Sequence, residues 1–240
     1  MKKFFAIAAA LVLFGTQAFA QFSVGAGYIN STRSGKYKDT DGSWKKLNST
    51  VDLNGAYVGA NYTIDLSDAV NGLGITPGIY FTLLAGKDKD IASLSYTDIA
   101  ANLPININYG FDLTGDFKLF AYAGPIFQLG LIRTGVDTSS NPKTTINYFK
   151  DQTLAGVVVA KAENRFNIYL GGGLGFEVNN QIQVILGYNH SLMNIMNDDD
   201  SKAGRGQITV GLGYKFSELP LCHMNQRLYR GDVFQTTTPR

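Results

Sequence analysis

The chain has 240 residues, with 21 Lys+Arg against 19 Asp+Glu, 27 Gly, 13 Tyr, 15 Phe and one cysteine. The single Cys222 excludes an internal disulfide framework and any multi-cysteine metal site. Near-balanced charge without a basic, aromatic-interleaved stripe excludes nucleic acid as a partner, and no cofactor is expected.

Met1-Lys2-Lys3 leads into an apolar run from Phe4 to Gly15, then Ala18-Phe19-Ala20 before Gln21. A basic start, a short apolar core and a small-x-small site are the parts of a secretory signal peptide. The run is too short for a bilayer-spanning helix, which needs roughly 20 residues. Residues 1–20 are therefore assigned to export. Without Lys2 and Lys3 the mature chain has 19 basic and 19 acidic residues.

From there the chain alternates with a period of two, which places successive side chains on opposite faces of a strand. Phe22, Val24, Ala26 and Tyr28 alternate with Ser23, Gly25 and Gly27. Ala56, Val58, Ala60, Tyr62 and Ile64 alternate with Gly55, Tyr57, Gly59 and Asn61. Ile79, Phe81 and Leu83 alternate with Gly78, Tyr80 and Thr82. Leu103, Ile105, Ile107, Tyr109 and Phe111 face away from Asn102, Pro104, Asn106, Asn108, Gly110 and Asp112. Residues 117–132 form a further strand whose two faces are both apolar, so its orientation stays open. Phe166, Ile168, Leu170, Leu174, Phe176 and Val178 oppose Asn167, Tyr169, Gly171, Gly173, Gly175 and Glu177. Ile182, Val184, Leu186 and Tyr188 oppose Gln183, Gly187 and Asn189, with Ile185 out of pattern. Ile208, Val210, Leu212, Tyr214 and Phe216 oppose Gln207, Thr209, Gly211, Gly213 and Lys215.

Eight strands result. One face is greasy with aromatics near the strand ends; the other is Gly, Asn, Thr, Gln and Tyr with few charges. A soluble sheet would put charge on its outer face, whereas this pattern suits a sheet with lipid outside and small polar groups within. Strands of about 9–11 residues span a bilayer when tilted, and in lipid every backbone group must be paired, which forces closure. The expected fold is all-β: a closed, antiparallel, up-and-down transmembrane β-barrel of eight strands over residues 21–216. A polar tail, expected to be disordered, covers 217–240. If the runs within 144–161 are a strand pair rather than an external hairpin, the count is ten.

Links alternate short (113–116, 179–181, with a medium one at 67–74) and long (31–50, 135–164, 194–204, with a shorter one near 86–92). Short periplasmic turns and long external loops characterise outer-membrane barrels. The expected location is the bacterial outer membrane, with both termini periplasmic.

Gly211-Leu212-Gly213-Tyr214-Lys215-Phe216 resembles the terminal strand signal of outer-membrane barrels. Leu103-Pro104-Ile105-Asn106-Ile107-Asn108-Tyr109, Tyr122-Ala123-Gly124-Pro125 and residues 187–195 (Gly-Tyr-Asn-His-Ser-Leu-Met-Asn-Ile) resemble the PorT-like family of small outer-membrane β-barrels. The resemblance covers most of 21–216 and carries no activity. It implies that Tyr214 and Phe216 are read by the barrel-insertion machinery, although this chain continues 24 residues past Phe216.

Two sets of candidate site residues follow. Asp112, Lys118, Glu177 and Lys215 are expected inside the barrel near its periplasmic end, paired because buried charge must be, and plugging a lumen that eight strands leave just wide enough for side chains. Arg33, Lys36, Lys38, Trp44, Lys45 and Lys46, in a loop of net charge +3, are expected to meet lipopolysaccharide phosphates. His190 and Ser191 are adjacent on a strand and point to opposite faces, so they do not form a catalytic pair. Asp198-Asp199-Asp200 lacks calcium-loop spacing and reads as a solvated tip. The functional expectation is a non-enzymatic barrel with a structural, adhesive or envelope role; a narrow channel is the alternative, and a lipid-modifying enzyme or a secretion accessory stands behind both.

Overall fold

The computed structural model describes residues 20–46, 51–87, 93–139, 142–154, 157–196 and 200–216. The export segment before Ala20, Asp198, Asp199 and the tail with Cys222 lie outside them. Among the described residues there are twelve strands: β1 (Ala20–Lys38), β2 (Trp44–Lys46), β3 (Val51–Asp65), β4 (Leu73–Lys87), β5 (Leu94–Thr114), β6 (Phe117–Asp137), β7 (Thr144–Asn147), β8 (Gln152–Leu154), β9 (Val157–Ala160), β10 (Phe166–Val178), β11 (Ile182–Ser191) and β12 (Ser201–Lys215).

Eight of these pair antiparallel in cyclic order. The path β10-β11-β12-β1-β3-β4-β5-β6 returns to its start through a β6–β10 ladder running from Leu129↔Phe166 to Phe117↔Val178. β2 and β7 pair only along the rim, with the ends of β1 and β6, and β8–β9 is a separate two-stranded sheet. The segment 144–161 is thus an appendage of the rim, and the ring has eight strands.

Side-chain exposure settles which face is which. Ile105 (45%), Leu170 (55%) and Leu212 (63%) stand outward. Asn102, Gln128, Asn167, Glu177 and Gln207 are buried within. A Cβ at Gly175 would meet the Phe120 ring, and one at Gly187 would meet the Tyr122 hydroxyl. The missing side chains of one strand make room for aromatics of another. Ile185, out of pattern in sequence, follows the backbone and lines the interior.

β6, whose orientation the sequence left open, turns Phe120, Tyr122, Ile126 and Gln128 inward. Its parity changes at a bulge: Ala100 pairs with Gly130 but Ile99 pairs with Ile132. Leu131 is the inserted residue, and both Leu131 and Ile132 face out. A bulge re-aims every side chain beyond it. Here it sets Arg133 rather than Ile132 opposite Asp98.

The strands are longer than the expected 9–11 residues: β1 has 19, and β5 and β6 have 21 each. The beginning of the expected link 31–50, the beginning of 135–164 and the end of 194–204 are therefore strand that continues beyond the apolar band, in β1, β6 and β12. The other end closes tightly. Asn179 and Asn180 both take positive φ (52° and 56°), a conformation Asn tolerates because its short amide bonds locally. Ala20 and Phe216 also lie at this short-turn end, beside Ile64 and Phe22 respectively.

Candidate functional site: a layered lumen and a cationic rim

The interior has three levels, stacked from the short turns towards the long loops. Lowest is a cavity of about 460 Å³. Tyr57, Tyr80, Tyr122, Asn61, Asn106 and Asn108 line it, with Lys118, Glu177 and Lys215 near its mouth. The Lys215 ammonium donates to Glu177 Oε1 at 3.0 Å, and Gln183 Nε2 donates to Glu177 Oε2 at 2.6 Å. Lys118 lies 4.0 Å from Asp112, whose side chain is 75% exposed. The four charges expected in one plug therefore divide. Glu177 and Lys215 pair inside, Lys118 lines the cavity, and Asp112 sits in solvent at the rim because it adjoins the register shift that opens the β5–β6 turn. The expectation of a lumen plugged at this end is corrected: small Gly, Asn and Thr side chains leave room among the tyrosines.

Above the cavity runs a neutral belt. Gln128 Nε2 donates to Asn102 Oδ1 at 2.8 Å, and the Tyr169 hydroxyl donates to Gln128 Oε1 at 3.2 Å. Beside it Ile29, Leu53 and Leu84 form a small apolar cluster. Ser191 is buried at the edge of this region, its hydroxyl donating to Asn167 Oδ1 at 3.1 Å, while His190 is exposed on the outward face.

The top level is ionic. Asp98 Oδ2 accepts from Arg133 Nε at 2.8 Å and from Arg205 Nη1 at 2.5 Å. Glu163 takes Arg133 Nη1 on one oxygen and Arg33 Nη1 on the other, both at 2.7 Å. β5 and β12 stand four places apart in the ring of eight, so the Arg205–Asp98 contact crosses the lumen from wall to opposite wall. Glu163 comes from the segment before β10, which leans on the rim: Glu163 N–H donates to the Tyr148 carbonyl, and the Phe149 ring packs over Gly130 with the Arg133 and Arg165 guanidiniums 5.0 and 4.4 Å from its centre. The plug thus lies at the opposite end from the one expected. Arg33, expected at lipid phosphates, is corrected as well. It occupies an inward-facing position of β1, four residues along from Ile29, and is committed to Glu163.

Of this network, Arg205 and Asp98 were within reach of the sequence. Continuing the inward parity of Gln207 back two residues gives Arg205, and continuing that of Asn102 back four gives Asp98. Both lie beyond the roughly 9–11 residues that a tilted strand needs to cross the bilayer. Arg133 is hidden by the bulge and Glu163 by its irregular segment.

On the outside of the long-loop end, Lys202, Lys36 and Lys46 stand opposite one another on three adjacent strands, β12, β1 and β2. Lys38 pairs in register with Trp44, over whose ring the Lys202 ammonium lies 4.5 Å from the centre. Lys45 is turned to Asp39, and that contact holds the Asp39 carboxyl below its ordinary value. Of the acidic triplet, Asp200 is described, and its carbonyl accepts from Lys38 N–H. At the short-turn end Phe216 packs against Phe22 and Tyr214, with ring centres 5.8 and 5.0 Å away.

No curated protein matches the chain. Among solved structures it is similar to Ail, the attachment invasion locus protein of Yersinia pestis, crystallised with the heparin analogue sucrose octasulfate (16% identity, 82% of this chain and 99% of that one, TM-score 0.43). OprG of Pseudomonas aeruginosa (15% identity, 84% and 98% covered, TM-score 0.46) and Neisserial surface protein A (16% identity, 82% and 99% covered, TM-score 0.42) are similar to the same degree. The sequence profile described as outer membrane protein beta-barrel domain matches residues 6–216. The chain belongs to that outer-membrane β-barrel family.

Proposed function

We propose that this protein is a non-enzymatic barrel of the bacterial outer membrane, oriented with its short turns and both ends of the described chain in the periplasm. Its work is structural or adhesive and is done by the rim that projects from the outer leaflet. Within the family, the proposed place of the chain is among PorT-like members, which the strand motifs Leu103–Tyr109, Tyr122–Pro125 and Gly187–Ile195 resemble.

The row Lys202–Lys36–Lys46 carries the reading. Lys36 follows Phe22 by fourteen residues on the outward face of β1. At about 3.3 Å per residue and a tilt of about 40°, that is about 35 Å along the axis, about 10 Å past an apolar band about 25 Å tall. Like charges side by side repel, and a polyanion held across them relieves the repulsion. Lipopolysaccharide supplies phosphates at that height. Lys38 and Trp44 extend the row; Lys45, turned to Asp39, and Arg33, turned inward, are not part of it. Tyr214 and Phe216 serve the other end, as the aromatics presented to the insertion machinery.

Replacing Lys36, Lys46 and Lys202 together by Glu tests this. Barrels purified from outer membranes should retain at least about tenfold less lipopolysaccharide than the parent, with the loss growing at low salt. Equal retention overturns the proposal. The channel reading has less support, because the cavity ends beneath the belt and the ionic level.

A further inference from the structure

The ionic level holds more positive than negative charge. Arg33, Arg133 and Arg205 face Asp98 and Glu163, three guanidiniums against two carboxylates. Arg133 is engaged by both carboxylates: its Nε donates to Asp98 and its Nη1 to Glu163. Arg205 is not. It is 4% exposed, it reaches Asp98 through Nη1, and its buried Nε–H has no hydrogen-bond partner among the described residues.

A recess of about 20 Å³ adjoins these groups, lined by the three arginines and Asp98, with Ser31 and Tyr148 beside them. A volume of about 10–15 Å³ suffices for one water-sized species. A water would satisfy the N–H but leave the surplus charge, and an uncompensated ion in the protein interior costs several kcal/mol. A small anion answers both needs: it accepts from the N–H, and its charge balances the third guanidinium. The Ser31 hydroxyl, at an inward-facing position of β1, is a further donor.

We propose that this recess is a binding site for one small inorganic monoanion of chloride size, held by Arg205 and Arg33 and completing the charge balance of the ionic level. The site is independent of the lysine row outside, and either can fail without the other.

The test uses the mature barrel purified from outer membranes in zwitterionic detergent. Its unfolding temperature is compared in 0.2 M sodium chloride and in 0.2 M sodium gluconate, whose anion is too large for the recess. Ionic strength is equal, so general screening cancels. The site predicts an unfolding temperature about 2–4 °C higher in chloride. Equal temperatures overturn it. Arg205→Gln removes the surplus charge and should unfold at one temperature in both salts; a chloride effect that survives overturns the placement. If Arg205→Gln does not fold, Arg33→Gln, at the wetter edge of the same network, makes the same comparison. Crystals soaked in bromide provide a direct readout: an anomalous peak beside Arg205 Nε is expected, whereas density for water only, without a peak, overturns the assignment.

Discussion

Below the Asn102–Gln128 belt, neutral Asn, Thr and Tyr line a cavity of about 460 Å³, with Lys118, Glu177 and Lys215 at its short-turn end; above the belt, five charged side chains fill the width of the ring. Both halves arise from the same alternation of outward apolar and inward polar residues. They differ in what the inward positions carry and in how completely the cations are covered. Glu177 is as buried as Asp98, at 2% exposed, but its partner Lys215 borders the cavity with 13% of its side chain exposed. Asp98 and Arg133 are 2% and 5% exposed and depend on each other. The lower half is a space with a polar lining. The upper half is a cross-brace, since Arg205–Asp98 ties β12 to β5 across the ring and Glu163 ties the irregular segment before β10 to both β1 and β6.

The largest loss of stability is expected on substitution of Asp98. Asp98→Asn leaves Arg133 and Arg205 buried without their shared counter-ion, and breaking a buried pair from one side costs about 3–5 kcal/mol. Urea unfolding of the barrel in lipid vesicles should show a loss of that size. A loss below about 1 kcal/mol would mean that water enters the upper half as freely as the lower.

Glu177→Gln is the matched change in the lower half. Gln183 remains as a neighbour and Lys215 keeps access to the cavity, so a loss of about 1 kcal/mol is expected in the same assay. Equal losses at Asp98 and Glu177 would erase the distinction between the halves. The smallest expected signal is electrical. With the ionic level intact, the wild-type barrel should produce no discrete conductance steps in a planar bilayer. Regular steps would show that the upper half opens, and would make the cavity one end of a pore.

The alternation made the outer surface and the lower lumen legible, because a period of two depends only on local backbone geometry. It assigned Leu103–Phe111, Phe166–Val178 and Ile208–Phe216 to faces that the structure keeps. Fourfold separation across the ring is not a local property. That Arg205 meets Asp98, 107 residues away, follows from closure and register. Two errors had a common origin. Taking the bilayer thickness as the limit of strand length turned the ends of β1, β5 and β12 into loops. That sent Arg33 to the lipid surface and left Arg205 and Asp98 unconsidered.

By itself the sequence determined the all-β class, the strand positions within the apolar band and the sense of most faces, since each follows from which side chains tolerate lipid and which do not. The tertiary structure decided the rest. One inserted residue, Leu131, reversed the parity of β6 and delivered Arg133 to Asp98. Cyclic pairing brought opposite walls within reach of a guanidinium. A segment outside the ring supplied the carboxylate of Glu163. Each depends on where distant parts of the chain end up relative to one another, which no periodicity along the chain encodes.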